Sequence, residues 1–232
     1  MIFKPSHIYH IYNQGNNRQK IFFNRGNFLF FLKKIHEHIL PFGEVLAWCL
    51  MPNHFHLMVY VKASDLSESE AFTQSEGFAT ALTTHKTLND SIGILLRSYT
   101  RAINKARKRT GSLFRRKTKA DCITKIEGIL EVKPSPGVKA SLLPSISEKE
   151  YLQICFDYIH QNPEIAGLVD KSEKWEFSSY LDYSGMRNGK LISRERAAEF
   201  GLVSEGFTWS EALTSPTSGV KASQNLKIRY LP

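Results

Sequence analysis

A stretch near residue 50 constrains the fold most strongly, because it joins a turn to a strand that carries two histidines. Pro52 and Asn53 are turn residues, and residues 55–61 are rich in the aromatic and β-branched side chains typical of a strand. Side chains alternate between the faces of a strand, so His54 and His56 project from the same face. Two neighbouring imidazoles are half of a metal site, although such pairs also occur on solvated sheets without function.

The segments around this strand predict an α+β fold, with a ferredoxin-like antiparallel sheet and helices on one face. Helical spacing of apolar residues predicts an amphipathic helix over residues 27–40, between strand candidates at 7–12 and 45–50. The order strand, helix, strand, strand is the first half of a ferredoxin-like layer. A second long helix is predicted over residues 88–109, and a fourth strand over residues 119–124.

A third predicted helix carries a tyrosine and an asparagine at helical spacing. Ser147 and Glu150 have the spacing of a capping box, which starts the helix. Asn162 precedes Pro163, and this predicts the end of the helix because a residue before proline disfavours helical geometry. Tyr158 and Asn162 are four residues apart and so share a face. Taken singly, the tyrosine is typical of a core position and the asparagine of a cap.

The predicted organisation is one domain over residues 1–185 with two insertions and a C-terminal extension. The insertions, near residues 63–87 and 124–146, lack a strong hydrophobic period and are rich in residues that favour loops. The extension, residues 186–232, is weakly patterned apart from a short helix predicted over residues 194–200. The 232 residues are enough for a substantial core.

The charge balance predicts a polyanionic partner. The chain has 31 Lys and Arg against 22 Asp and Glu, a formal net charge of +9, which favours nucleic acid if the charge is clustered. Cations recur along one side of the second helix and continue beyond it, which favours nucleic-acid contact over an ordinary solvated helix face. The candidate nucleic-acid-binding residues are Arg97, Arg101, Lys105, Arg115, Arg116 and Lys119.

The cysteines and the hydropathy pattern predict the compartment. Cys49, Cys122 and Cys155 are odd in number and widely spaced, which argues against a disulfide framework or a structural zinc site and favours a reducing environment. No signal-peptide pattern opens the chain, and no apolar run has the length of a membrane span. We therefore expect a soluble cytoplasmic protein with no membrane partner.

Four motifs follow one another between residues 7 and 183. They are Asn-Gln-Gly-Asn-Asn-Arg-Gln at 13–19, Met-Pro-Asn-His-Phe-His-Leu at 51–57, Gly-Ser-Leu-Phe-Arg-Arg at 111–116, and Tyr-Ile-His-Gln-Asn-Pro-Glu-Ile-Ala-Gly-Leu-Val at 158–169 with Trp-Glu-Phe-Ser-Ser-Tyr after it. In kind and order they resemble the IS200-like single-tyrosine transposases of the HUH type, and among these the REP-associated tyrosine transposases. The histidine pair alone is a weak motif, whereas the four together are specific.

The resemblance implies a transposase-type enzyme that cuts and joins single-stranded DNA near hairpins, dependent on Mg²⁺ or Mn²⁺ and not on ATP. It implies that Tyr158 is the nucleophile and forms a 5′-phosphotyrosine. It also implies that His54, His56 and Asn162 hold the metal. Gln161 is the weaker candidate ligand, because it lies off the face of the helix that carries Tyr158.

Three other interpretations stay open at this point. One is a catalytically inactive nucleic-acid-binding protein of the same fold, and a second is a metal-dependent DNA hydrolase that uses water. A third is a relaxase or rolling-circle initiator, which the order of His54 and His56 before Tyr158 disfavours. The sequence leaves open the DNA target, mobilisation of an element or domestication, and whether a monomer or a homodimer supplies Tyr158 in cis or in trans.

Overall fold

The computed structural model describes residues 1–63, 87–124 and 147–202, built around a four-stranded antiparallel sheet. In chain order the elements are β1 (Ile8–Gln14), α1 (Arg25–His38), β2 (Gly43–Met51), β3 (His54–Val61), α2 (Leu88–Ala106), β4 (Lys119–Cys122), α3 (Glu148–Ile165), α4 (Tyr180–Tyr183) and α5 (Arg194–Glu199), with 3-10 turns at Asn16–Arg18 and Ser172–Lys174. The strand order is β2-β3-β1-β4. With α1 after β1 and α2 after β3, this is the ferredoxin-like arrangement, so the predicted fold class is confirmed.

Both faces of the sheet are apolar, and helices cover both. Phe55 and Leu57 of β3 pack with α1 and α2 on one face, while Met58 packs with α3 on the other. The two helices of the ferredoxin-like unit therefore lie on one face, as predicted, and α3 adds a layer that the sequence pattern did not indicate. The physical reason is that β2 and β3 are buried at nearly every position, so neither face is left to solvent.

The hairpin between β2 and β3 fixes where the two histidines lie. β3 pairs with β2 on one side and β1 on the other, which places His54 opposite Gln14 and His56 opposite Tyr12. A slip of one residue would turn every side chain of β3 to the other face, and the apolar cores on both faces oppose such a slip. The register therefore holds both imidazoles on the face that α3 covers.

The predicted start of α3 is confirmed. The Ser147 hydroxyl accepts a hydrogen bond from the Glu150 backbone N–H at 3.3 Å, and the Glu150 carboxylate accepts one from the Ser147 N–H at 2.9 Å. This reciprocal pair satisfies two of the N–H groups that the first turn of a helix leaves without a partner.

The predicted end of α3 at Asn162–Pro163 is wrong, since the helix continues to Ile165. Proline removes one backbone donor, but the carbonyls of Asn162 and Pro163 still accept hydrogen bonds from Ala166 and Leu168 at 3.0 and 2.9 Å. Asn162 and Pro163 are both buried, and this burial offsets the missing bond. Asn162 therefore lies inside the helix rather than at a frayed end, which fixes the direction of its side chain.

Residues after 185 pack against β2 as far as residue 202. Ile192 bridges Val45, and Arg196 forms an ion pair with Glu44 at 3.2 Å. The helix predicted over residues 194–200 is confirmed as α5. The division at residue 185 stays a prediction. Almost all of the two predicted insertions, and residues 203–232, lie outside the described residues.

The cysteines are free thiols, and Cys49 and Cys155 are buried. Burial raises the pKa of both thiols, so they are protonated at neutral pH. Across residues 1–63, 87–124 and 147–202, no helix combines the length and apolar character needed to cross a bilayer.

Candidate active site

The histidine pair of β3 and the tyrosine of α3 meet on the face of the sheet that α3 covers. Nε2 of His54 lies 3.2 Å from Oδ1 of Asn162, and the ring centroids of His56 and Tyr158 are 5.5 Å apart. All four side chains are buried, with at most 8% of their surface exposed. The structure thus brings together the four residues for which the resemblance implies nucleophile and metal-ligand roles. The roles themselves stay predictions.

The sequence of α3 explains why these side chains reach the histidines. An apolar stripe on this helix packs against β2 and β3 and anchors it to the sheet: Leu152, Cys155, Phe156 and Ile159. Tyr158 and Asn162 are one turn apart on the neighbouring part of the same helix, near the end of β3 that carries the histidines. Burial of the stripe therefore positions the two polar side chains.

His54 contacts two amide oxygens, although it has one N–H to donate. Its Nδ1 lies 2.6 Å from Oδ1 of Asn53, and its Nε2 lies 3.2 Å from Oδ1 of Asn162. Burial lowers the pKa of His54 to about 4, against a smaller raising contribution from Asn162, so the ring is neutral at physiological pH. We assign the N–H to the shorter contact. Nε2 and the Asn162 oxygen then direct lone pairs at one another, an arrangement that a cation stabilises.

The spacing of these two atoms fits a divalent ion. Adjacent ligands of an octahedral Mg²⁺ ion with bonds of about 2.1 Å are about 3.0 Å apart, and the His54–Asn162 separation is 3.2 Å. Imidazole nitrogen with amide oxygen is a donor set that divalent cations accept. Among the described residues no group of three or more His, Cys, Asp and Glu side chains could hold a metal, so this set reaches three ligands only through an amide.

Buried polar atoms without a hydrogen-bond partner also mark this face. Both amide atoms of Gln14, Nε2 of His56 and Nδ2 of Asn162 have no partner among the described residues. Gln14 lies opposite His54, so its side chain shares the face of the histidines. Burial, reinforced by the neighbouring histidines, lowers the pKa of His56 well below its usual value, so its ring is neutral. Buried polar atoms nearly always have partners, so these atoms call for an ion, a ligand or water at this place.

His10 belongs to the site and was missed by sequence reasoning. Its Nε2 lies 2.9 Å from Nδ1 of His56, the two rings stack with centroids 5.0 Å apart, and His10 is fully buried. Burial lowers the pKa of His10 to about 3, so it is neutral. The sequence does indicate that His10 and Tyr12 share a face of β1, because they are two residues apart. Its place beside His56 follows only from the pairing of β1 with β3.

Tyr158 is a buried phenol at the edge of a cavity. Burial raises the pKa of Tyr158 to about 12, against a smaller lowering contribution from its hydrogen bond with Asn162. The cavity, of about 600 Å³, is lined by Arg18, Lys20, Met51, Pro52, Asn53, His54, Tyr158, Asn162, Ile165, Ala166 and Leu168. Arg18 and Lys20 were not among the predicted site residues, because neither belongs to a charge cluster in the sequence.

The six cations predicted to bind DNA are distributed over three places. A groove of about 570 Å³ between α2 and the segment before β4 contains Arg97, Arg101, Arg115 and Arg116. Lys119 lies on the face of the histidines, with Nζ 5.7 Å from the ring centroid of Tyr12, while Lys105 is exposed on α2 outside the groove. None of the six forms an ion pair with a carboxylate in the described part of the chain.

Comparison with known proteins adds one likeness in fold. No family model matches the chain, and no curated protein sequence matches it. A solved structure of a REP-associated tyrosine transposase bound to a REP hairpin is similar, with 13% sequence identity and a TM-score of 0.48 over 84% of this chain and 95% of that chain. A likeness at this level concerns the fold only, so the function proposed below depends on the geometry of the site.

Proposed function

We propose that this protein is a metal-dependent endonuclease and strand transferase for single-stranded DNA, a transposase-type enzyme in which Tyr158 forms a 5′-phosphotyrosine at hairpin-associated sites. The observation that carries the proposal is the meeting of a buried tyrosine, two neutral imidazoles and an amide, with unsatisfied polar atoms among them, beside one cavity. A hydrolase that uses water as its nucleophile would need no tyrosine at this position. The presence of Tyr158 therefore favours covalent capture of the DNA end.

The proposed reaction exchanges one phosphate ester for another. The oxygen of Tyr158 attacks the scissile phosphorus, the bond from phosphorus to the 3′-oxygen breaks, and the 3′-oxygen leaves with a proton as a free hydroxyl. The phenolic proton is lost in the same step, so charge and atoms balance. The tyrosyl ester keeps the energy of the original bond, so a 3′-hydroxyl can later attack it and rejoin strands without ATP.

The phenol of Tyr158 needs positive charge nearby to react. With a pKa of about 12, the ionised fraction at pH 7 is on the order of 10⁻⁵. A divalent ion held by His54, His56 and Asn162 would polarise the scissile phosphate and stabilise the departing oxygen. Asn162 contacts both His54 and Tyr158, so one amide connects the nucleophile to the proposed ligands.

A labelled single-stranded hairpin from the DNA that flanks the coding sequence tests the proposal. The protein is incubated with this DNA and Mn²⁺ or a chelator, products are separated on a denaturing gel, and the modified peptide is sequenced by mass spectrometry. We expect a metal-dependent DNA–protein adduct at Tyr158 and a free 3′-hydroxyl, and no adduct with the paired duplex. Cleavage without an adduct would instead support the hydrolase, and tight binding without cleavage the inactive binding protein.

Removal of two groove cations is expected to weaken DNA binding and its salt dependence. The Arg97→Ala, Arg101→Ala double variant loses two contacts to phosphate, so the slope of log affinity against log salt should fall by about 1.4 for single-stranded DNA. Binding is measured by fluorescence anisotropy at several salt concentrations. The control is Lys33→Ala, Lys190→Ala, which removes two exposed charges outside the groove. Equal slopes in the two double variants would contradict the assignment of the groove.

A further inference from the structure

We propose that the cavity beside Tyr158 binds one unpaired nucleotide next to the scissile phosphate, and that it holds the base by apolar contact without reading its identity. The inference depends on the proposed function and adds a binding site to it. The occupant is a single nucleotide because the cavity joins an apolar wall, two cations and the nucleophile in about 600 Å³.

The wall of the cavity is apolar and exposed. Ile165 and Leu168, at and after the end of α3, are 42% and 44% exposed. Met51, Pro52 and Ala166 extend the same surface. Exposed apolar surface beside a reactive group is typical of a ligand site, since contact with a ligand removes it from water. The flat face of an unpaired base is apolar and provides such a contact, which a paired base inside a duplex does not.

Two exposed cations at the same cavity favour an anionic ligand. Arg18 and Lys20 form no ion pair with a carboxylate in the described ranges. Asn17 and Arg18 both have positive φ, 51° and 57°, a left-handed conformation that is uncommon and strained for residues such as Arg. A phosphate adjacent to the bound base would lie between these cations and Tyr158.

Backbone hydrogen bonds hold this strained turn against the hairpin of the histidines. The N–H of Gly15 donates to the carbonyl of Asn53 at 2.8 Å, and the N–H of Ile21 donates to the carbonyl of Pro52 at 2.8 Å. The turn that carries Arg18 is thus tied at both ends to the two residues before His54. A phosphate bound by Arg18 would therefore be positioned relative to the proposed ligand pair.

The cavity offers little that could read the edge of a base. The amide of Asn53 is already engaged, with Oδ1 2.6 Å from His54 and Nδ2 3.5 Å from the carbonyl of Arg18. Asn162 contacts His54 and Tyr158. Bases are distinguished by hydrogen bonds to their edges. Apart from Nδ2 of Asn162 and the two cations, Arg18 and Lys20, which we assign to the phosphate, the remaining side chains of the wall are apolar. We therefore expect tolerance of base identity together with a need for a base.

Hairpins that differ in one nucleotide beside the scissile phosphate test this site. Each of the four bases and an abasic nucleotide is placed on either side of the cleavage point, and single-turnover cleavage rates are measured. At one flank we expect the four bases to agree within about 3-fold and the abasic nucleotide to lower the rate by about 10-fold or more. The proposal would be overturned if the abasic nucleotide lowered the cleavage rate at neither flank, or if the rates with the four bases differed by about 100-fold.

Two variants test whether the apolar wall of the cavity causes the lower cleavage rate with the abasic nucleotide. In Leu168→Ser the abasic and base-containing hairpins should react at similar rates, because the contact is already lost. Met186→Ser, which changes another exposed apolar side chain outside the cavity, should keep the full abasic penalty. Affinities for the same hairpins are also measured with Tyr158→Phe, in which binding can be compared without cleavage. Absence of cleavage by the wild type would contradict the proposed function. Equal affinities for abasic and base-containing hairpins would contradict the nucleotide site.

Discussion

Tyr158→Phe is expected to abolish the covalent DNA adduct, with a loss of cleavage on the order of 10³-fold or more. The phenylalanine ring keeps the packing of Tyr158 against His56, whose centroid lies 5.5 Å away, and removes only the attacking oxygen. Binding of the hairpin, which depends on the cations and the cavity wall, should change by less than about 3-fold. Denaturing gels measure cleavage and anisotropy measures affinity on the same preparations.

The matched control for this prediction is Tyr60→Phe. Tyr60 is a partly buried tyrosine on β3, the strand that carries the histidines, and it contacts Phe200 and Arg196 rather than the cavity. This variant should form the adduct as the wild type does. Cleavage that persists in Tyr158→Phe would rule out the covalent mechanism and make water the nucleophile, in which case His54→Ala should still abolish activity.

The parts of the site that the sequence predicted are those within one regular element. The period of two puts His54 and His56 on one face of β3, and the spacing of four puts Tyr158 and Asn162 on one side of α3. These two pairs meet because α3 packs across the second face of the sheet. The residues in contact are about one hundred positions apart in the chain. No local pattern indicates which face α3 covers, since β2 and β3 are apolar on both.

The residues that were missed depend on pairing and on unusual backbone geometry. His10 reaches His56 only because β1 pairs with β3, and Arg18 reaches the cavity through a left-handed turn bonded to the hairpin. The predicted end of α3 is wrong because burial of Asn162 and Pro163 outweighs the preference of a residue before proline against helical geometry. The cations of α2 and of the segment before β4 were found by charge counting, while their shared groove follows from tertiary packing.

The second large expected effect is a loss of stability in acid. The free energy of unfolding of the metal-free protein should fall steeply between about pH 6.5 and 4. Burial lowers the pKa of His54 to about 4, of His10 and His160 to about 3, and of His56 well below its usual value. In the unfolded chain each histidine titrates near 6.5. Below that pH the unfolded state binds protons that the folded state does not, so the free energy of unfolding falls as pH falls.

The effect is large because several buried histidines each contribute to the pH dependence of the free energy of unfolding. Each such histidine lowers the free energy of unfolding by about 1.4 kcal/mol per pH unit below 6.5, so four together approach about 5.6 kcal/mol per unit. Asp157 acts in the opposite direction, because burial raises its pKa to about 6 and the folded state then binds a proton first. The net slope, about 4 kcal/mol per unit, would consume a typical total stability of 5–15 kcal/mol within a few pH units.

Urea unfolding in a chelator at pH values from 7.5 to 5 measures this slope, and two variants locate its source. His54→Gln should flatten the curve, since it removes one buried group that titrates only in the unfolded state. His36→Gln, on the exposed face of α1, should leave it unchanged. Mn²⁺ should raise stability by a similar amount from pH 7.5 to 5, because the nitrogens of His54 and His56 stay unprotonated in the folded protein over this range. A flat profile in the wild type would mean that these imidazoles are not buried as neutral rings, and the proposed ligand set would fail with them.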